Sequence, residues 1–284
     1  MQKIGLGTRK LQGPTAVQIV HAALDIGYRH IDTARIYQNE SEIATAIQQS
    51  GVSRTELHLT SKVWFDYVPN YHAHHFSSSD FSYTKLQERF EKSLITLKTD
   101  YLDTVLLHRP TWLENDLYAY EHLLKRKQAG KINQIGVSNF PLWYLEKFWK
   151  YFPNEISCNQ IEFHPCLDSP ALRTFAAQKH LKLEAYSPLA HGKILKHPIL
   201  ISIAQKHETT PAQICIARVM MQNLFPLPKA STTDKLLENR NAQKLILDQE
   251  DLEQIAKLPK HHRYCNPPFA PEWDTPLFPS KKTN

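Results

Sequence analysis

The chain has 284 residues, a formal net charge of +6, and 42% hydrophobic and 10% aromatic residues; parallel α/β barrels commonly run to roughly 250 residues as one domain. The basic residues are scattered and the densest run, Lys125-Arg126-Lys127, reads as a solvated helix face, so no nucleic-acid partner is expected; the modest positive balance suits a phosphorylated or anionic small molecule. No uncharged apolar run approaches the ~18 residues that span a bilayer, the start MQKIGLGTRK has no apolar signal region, and Cys158, Cys166, Cys215 and Cys265 lack metal-ligand spacing and read as free thiols of a reducing cytosol.

Short apolar runs alternate with amphipathic stretches along the whole chain. A first strand over 3–7 leads to a helix over 15–26, with Val17, Val20, Ala23 and Leu24 on one side. A strand over 28–32 precedes a helix over 40–49. The strand over 57–62 is followed by a Tyr-, His- and Ser-rich stretch, 65–82, and then a helix over 83–97 with Leu86, Phe90, Leu94 and Leu97 at helical spacing. Strands over 101–108, 132–138, 156–162 and 181–186 alternate with helices over 117–129, 141–150, 170–179 and 198–207. A second helix over 211–221 precedes the last strand, 224–228, and helices over 232–240 and 248–256 follow. Pro141, Pro170 and Pro198 stand at helix starts, where a missing N–H costs little. Eight β-then-α units predict an α/β fold of the (β/α)8 TIM-barrel type, as a single domain over 1–284. An open doubly wound sheet usually carries a Gly-rich turn after its first strand, and Gly5-Leu6-Gly7 lacks the third glycine. The Pro-rich end carries Phe269, Trp273 and Phe278, so 259–284 is expected to fold back across a barrel mouth.

In such barrels the chemistry sits at the C-terminal ends of the strands. There the sequence places Asp32, Lys62, His108, Ser138-Asn139, Gln160 with Glu162, Tyr186-Ser187 and Lys229. Buried strands that finish in ionisable groups are costly unless those groups are paired. Tyr37 follows Asp32 within the loop. A phenol ordinarily loses its proton near pH 10, about three units above neutrality, and a neighbouring ammonium favours phenolate and makes the phenol a better proton donor. Asp32, Tyr37, Lys62 and His108 therefore read as one proton-delivery device. Glu162 and His164 share one side of an extended chain, but no third ligand accompanies them, so no metal site is expected.

The run Gly27-Tyr28-Arg29-His30-Ile31-Asp32-Thr33-Ala34 with Tyr37 and Asn39-Glu40 resembles the aldo-keto reductase signature. So do Thr60-Ser61-Lys62-Val63-Trp64, Leu107-His108-Arg109-Pro110, Gly136-Val137-Ser138-Asn139-Phe140, Asn159-Gln160-Ile161-Glu162-Phe163-His164-Pro165, Ala185-Tyr186-Ser187-Pro188-Leu189, and Pro228-Lys229 through Glu238-Asn239. The stretch Ala190-His191-Gly192-Lys193 and the ending from Pro267 to Asp274 look most like bacterial diketogluconate reductase-type members. The resemblance implies NADPH-dependent reduction of aldehydes or ketones, among them small 2-oxo compounds and keto-sugars. It implies Tyr37 as proton donor, Lys62 as the group that lowers its pKa, Asp32 as the holder of Lys62, and His108 as a hydrogen-bonding partner of the substrate oxygen. Ser138, Asn139 and Gln160 would hold the carboxamide of the cofactor, with Tyr186 on the nicotinamide face and Ser187 and Leu189 beside it. Lys229, Ser231 and Lys235 would meet the 2′-phosphate, and Glu238 and Asn239 the adenine. Arg9, Trp64 and Arg109 would line the substrate pocket. A cytoplasmic monomer acting on a small carbonyl compound, with no membrane partner, is expected.

Alternative readings stand beside these. Ser138 and Asn139 could cap the helix starting at Pro141, and Tyr186 could be a packed barrel aromatic. The whole chain could be an NADPH-binding regulatory or scaffold protein with little turnover. Several positions depart from the family pattern. The chain opens almost directly on its first strand, so the N-terminal hairpin that plugs the barrel floor in many relatives is expected to be missing. Arg9 stands where many relatives carry an aromatic, and Arg109 replaces the usual Trp, which hints at an anionic or polyhydroxylated substrate. The stretch 65–82 reads as an enlarged active-site loop. Ala230 replaces a common Ser and Lys235 a usual Arg; a Lys lacks the bidentate fork, so a weakened preference for NADPH over NADH is expected.

Overall fold

The computed structural model describes residues 4–63, 83–111, 113–260 and 262–265. Eight strands run in parallel and in chain order: β1 (Leu6–Gly7), β2 (His30–Asp32), β3 (His58–Val63), β4 (Leu102–Leu107), β5 (Ile132–Ser138), β6 (Cys158–Glu162), β7 (Lys182–Tyr186) and β8 (Leu224–Leu227). The Gly5 and Gly7 amides donate to the Pro226 and Pro228 carbonyls at 3.0 and 3.1 Å, and this joins β8 back to β1. The approach is close: a Cβ on Gly7 would lie 2.8 Å from the Leu227 carbonyl oxygen. The expected (β/α)8 TIM barrel is therefore the observed fold.

The helices are α1 (Gly13–Asp25), α2 (Glu40–Ser50), α3 (Tyr83–Leu97), α4 (Leu113–Gln128), α5 (Leu142–Trp149), α6 (Pro170–Gln178), α7 (Pro198–Lys206), α8 (Pro211–Met221), α9 (Thr233–Asn241) and α10 (Gln249–Ala256). Pro170, Pro198 and Pro211 open their helices as the missing N–H allows. Three boundaries differ instructively from expectation. Tyr28 lies outside β2, because it follows the left-handed Gly27 (φ 93°) and sends its hydroxyl to the Leu236 carbonyl. α4 begins at Leu113 rather than 117, because Asp116 in its first turn accepts from the Thr111 amide and hydroxyl. Pro141 is the N-cap of α5, with no side-chain cap.

One buried cluster lies between the sheet and α1 to α6, with α8 and α9 contributing to it, and a second packs α7, α8 and α10 together. The strands are buried on both sides, as parallel strands flanked by helices are. The N-terminal end of the barrel is filled from within. The His30 ring lies tilted against His58 and stacks on Phe225, with centroids 4.3 and 4.9 Å away, and Lys182 Nζ lies 4.4 Å from the Phe225 centroid. Burial pushes both imidazoles below their ordinary pKa, so at neutral pH they pack as uncharged rings.

Candidate active site

The C-terminal end of the barrel gathers the predicted tetrad. Asp32 ends β2 and Lys62 is the penultimate residue of β3, and both side chains point into the barrel, 5% and 1% exposed. Lys62 Nζ donates to both Asp32 oxygens, at 2.8 and 2.7 Å, and to the Thr33 carbonyl at 2.9 Å. Desolvation pulls the Lys62 pKa down, but the Asp32 carboxylate together with Tyr37 and Glu184 outweighs it, and the ammonium is held charged. Burial pushes the Asp32 carboxyl up, against Lys62 and the Gln160 amide; an ammonium on both oxygens keeps the pair ionised.

Tyr37 sits in the 3-10 turn Arg35–Tyr37, which the Ala34 carbonyl and Tyr37 amide close at 2.9 Å. Lys62 Nζ lies 5.3 Å from the centroid of its ring, and the His108 ring meets it edge-on at 5.8 Å. Lys62 acts on Tyr37 in the expected direction, downward, but burial is the larger effect, and the net shift of the phenol is upward. The phenol is thus a protonated group at neutral pH. His108 follows β4 directly, its amide bonded to the Val63 carbonyl. Burial, then Lys62, Arg109 and Arg9, push its pKa well below the ordinary value, so it is a neutral imidazole.

The polar residues at the ends of β5 to β7 are tied to each other. Ser138 Oγ donates to the Gln160 carbonyl at 2.9 Å. Asn139 takes up a left-handed backbone (φ 63°), which Asn tolerates. Its Nδ2 reaches the His108 carbonyl at 2.9 Å, and its Oδ1 accepts from the Tyr186 hydroxyl at 2.6 Å. Neither Ser138 nor Asn139 caps α5, so the capping alternative is set aside. Tyr186 is half-buried, anchored at its hydroxyl. Ser187 Oγ lies 3.1 Å from His191 Nε2, and Leu189 packs partly buried against both apolar clusters. Gln160 Nε2 crosses from β6 to donate to Asp32 Oδ1 at 2.7 Å and to Glu184 Oε2 at 3.1 Å. Glu184 is a member of the site that the sequence reading misses. Its signal is there: it falls in phase with Tyr186 along β7.

Beyond β8, Lys229, Ser231 and Lys235 are exposed around the N-terminus of α9, where Thr232 accepts from the Lys235 amide. A helix start of this kind favours an anion. Glu238 accepts from Thr210 Oγ1 at 2.5 Å, tying α9 to α8. Asn239 is 2% exposed, and its Oδ1 has no partner among the described residues, so it is a buried acceptor awaiting a donor. Arg9 is exposed and Arg109 half-buried, and the charge of each reaches Tyr37 and His108. Trp64, like the 65–82 loop, lies outside the described residues. Glu162, weighed above as a metal ligand, accepts the Tyr264 and Cys265 amides at 2.8 and 3.0 Å. Residues 262–265 thereby reach the mouth; residues 266–284 of the expected cover lie outside the described residues.

The model of the aldo/keto reductase family matches residues 3–260. A methylglyoxal reductase, DkgB, of Escherichia coli O157:H7 is 38% identical over 276 residues, covering 95% of this chain and 98% of that protein. The glyoxal reductase of Bacillus subtilis (strain 168) is 38% identical over 266 residues, covering 93% and 91%. Among solved structures, a protein described as a candidate 2,5-diketo-D-gluconic acid reductase B superposes with a TM-score of 0.87 at 32% identity, covering 96% of this chain and 94% of its own. The chain belongs to the aldo/keto reductase family, oxidoreductases that act on carbonyl groups with a nicotinamide cofactor.

Proposed function

We propose that this chain reduces aldehyde and ketone groups of small 2-oxo compounds and keto-sugars to alcohols with NADPH, Tyr37 giving the proton. The observation that carries this reading is the buried Lys62–Asp32 pair set beneath the Tyr37 ring, with a neutral His108 at its edge. When bound, the reduced nicotinamide supplies a hydride to the carbonyl carbon. The protein's part is the proton. Negative charge develops on the carbonyl oxygen, and Tyr37 Oη delivers its proton there as general acid. The phenolate that remains faces the Lys62 ammonium, which stabilises it, and Asp32 keeps that ammonium charged and in place. His108, uncharged, donates a hydrogen bond that orients the substrate oxygen and does not compete as the acid.

The residues present suit the cofactor. The orphaned Asn239 Oδ1 can accept from an exocyclic amine, and Lys229, Lys235 and the start of α9 form a cationic place for a 2′-phosphate. Gln160, Ser138, Asn139 and Tyr186 would hold the nicotinamide end, and Arg9 and Arg109 would favour a substrate with anionic or hydroxylated substituents. The test is direct: mixing purified protein with NADPH and methylglyoxal or a diketogluconate bleaches the reduced-nicotinamide absorbance, and Tyr37→Phe stops it while NADPH still binds. Turnover undiminished in Tyr37→Phe overturns the assignment. Tight NADPH binding with no turnover across a broad carbonyl panel replaces the enzyme by a cofactor-binding regulator.

A further inference from the structure

Gln160 occupies an unusual electrostatic position. An amide nitrogen has two hydrogens, and both are committed to carboxylates: Asp32 Oδ1 at 2.7 Å and Glu184 Oε2 at 3.1 Å. Gln160 and Glu184 are register partners on β6 and β7, and both are 1% exposed. The other Glu184 oxygen accepts from Lys182 Nζ at 2.8 Å, at the barrel floor. Burial alone would raise the Glu184 carboxyl, but Lys182, His30 and the two donors outweigh it and bring its pKa down to about 2. Glu184 is therefore an anion at every working pH. It also acts on Lys62, helping to hold the ammonium charged. A chain of alternating charge thus runs along the lumen from Lys62 and Asp32 through the Gln160 amide to Glu184 and Lys182.

We infer that Glu184 is a positioning residue: with Asp32 it fixes the amide of Gln160 so that the nitrogen faces inward and the carbonyl oxygen is the group presented to a ligand. The inference rests on the cofactor reading above, and it gives Gln160 a definite polarity there. A carbonyl oxygen recognises an N–H donor, such as the NH2 of a nicotinamide carboxamide, and rejects a group that has only a carbonyl. Glu184 is needed because its two neighbours are both donors, and only a carboxylate offers each of them an oxygen. In Glu184→Gln the one amide oxygen goes to the Lys182 ammonium, and an NH2 is left facing the NH2 of Gln160. That contact leaves Asp32 alone to hold the Gln160 amide, so its carbonyl oxygen is no longer fixed towards the ligand.

The experiment compares binding of NADP+ with that of its 3-acetylpyridine analogue, which keeps the carbonyl but lacks the NH2, by quenching of tryptophan fluorescence. The wild type favours NADP+ by about tenfold, the worth of one hydrogen bond to a buried acceptor. Glu184→Gln narrows the gap to about twofold or less while the analogue binds as it does to the wild type. A role confined to structure would weaken both ligands alike, and either that result or an unchanged gap overturns the inference. Should Glu184→Gln not fold, Glu184→Met removes both acceptor oxygens, frees Lys182 to reach solvent, and is read in the same way. A wild type that binds neither ligand overturns the cofactor reading itself, and the two failures are thereby told apart.

Discussion

The Lys62 ammonium and the Asp32 carboxylate contact each other through both carboxylate oxygens inside the barrel, almost without solvent. Two unlike charges out of water are tolerated together and not apart. Asp32→Ala strands a buried ammonium, and breaking such a pair costs about 3–5 kcal/mol. The double replacement Asp32→Leu with Lys62→Met removes both charges and recovers most of that loss while remaining inactive. Urea denaturation of the single and double variants, set beside their carbonyl reductase rates, checks both statements.

The directions of the two ring pKa values fix the shape of the pH profile. His108 is held neutral, its pKa well below the ordinary histidine value, and the Tyr37 phenol is raised above its ordinary value of about 10. Neither group changes charge between about pH 6.5 and 9, so kcat/KM for reduction is flat there and falls only as the phenol deprotonates in strong alkali. A descending limb centred near pH 6.5 would instead make an imidazolium the acid. Initial rates across pH 5.5–10.5 in buffers of constant ionic strength decide this.

Lys229 and Lys235 stand at the start of α9 as exposed point charges. Lys229→Ala and Lys235→Ala are each expected to weaken NADPH binding by about tenfold, the scale of a charge-assisted hydrogen bond, and to leave NADH binding unchanged. Exposed charges are screened by salt, so on the reading proposed above any preference for NADPH over NADH is expected to shrink as ionic strength rises. Fluorescence titrations with both cofactors at low and high salt measure it.

Asp116 ties the loop after β4 to α5: it accepts from the Thr111 amide and hydroxyl and from the Tyr144 hydroxyl, at 2.7, 2.6 and 2.5 Å. Burial outweighs these donors and pushes its pKa up to about 7. A carboxyl with a folded pKa above its unfolded value of about 3.9 binds its proton more tightly when folded. Its contribution to stability is complete below pH 4 and is lost as pH rises towards 7, at most about 1.4 kcal/mol per pH unit. Asp116→Asn removes this slope, although its amide carries one hydrogen more than the protonated acid, which costs about 1–3 kcal/mol at low pH when left unpaired. The stability gap between wild type and variant, followed by chemical denaturation from pH 4 to 8, therefore closes as pH rises.

Much of the site is legible in the chain because each of Asp32, Lys62 and His108 ends, or directly follows, a short apolar run, and a buried strand does not finish in a lone charge without reason. The barrel is legible for the same reason: the runs repeat with helices between them. What escapes are the relationships that only register creates. Glu184 shares a phase with Tyr186, but its partner Gln160 is on the neighbouring strand and its cation, Lys182, starts its own. The tie of Tyr186 to Asn139 depends on a left-handed backbone that no local pattern announces. The first turn of α4 reads as loop because Thr111 and Asp116 look like ordinary turn residues until their hydrogen bonds are seen.

The join between β8 and β1 is laced from one side only. Gly5 and Gly7 give their amide hydrogens to Pro226 and Pro228, but a proline has none to return. A closed sheet has no edge at which prolines would be harmless, so this staircase of bonds has every second rung missing. Opening of the barrel is therefore expected to start at that slit, with the Gly5 and Gly7 protons exchanging with heavy water ahead of those in the fully laced β3 and β4.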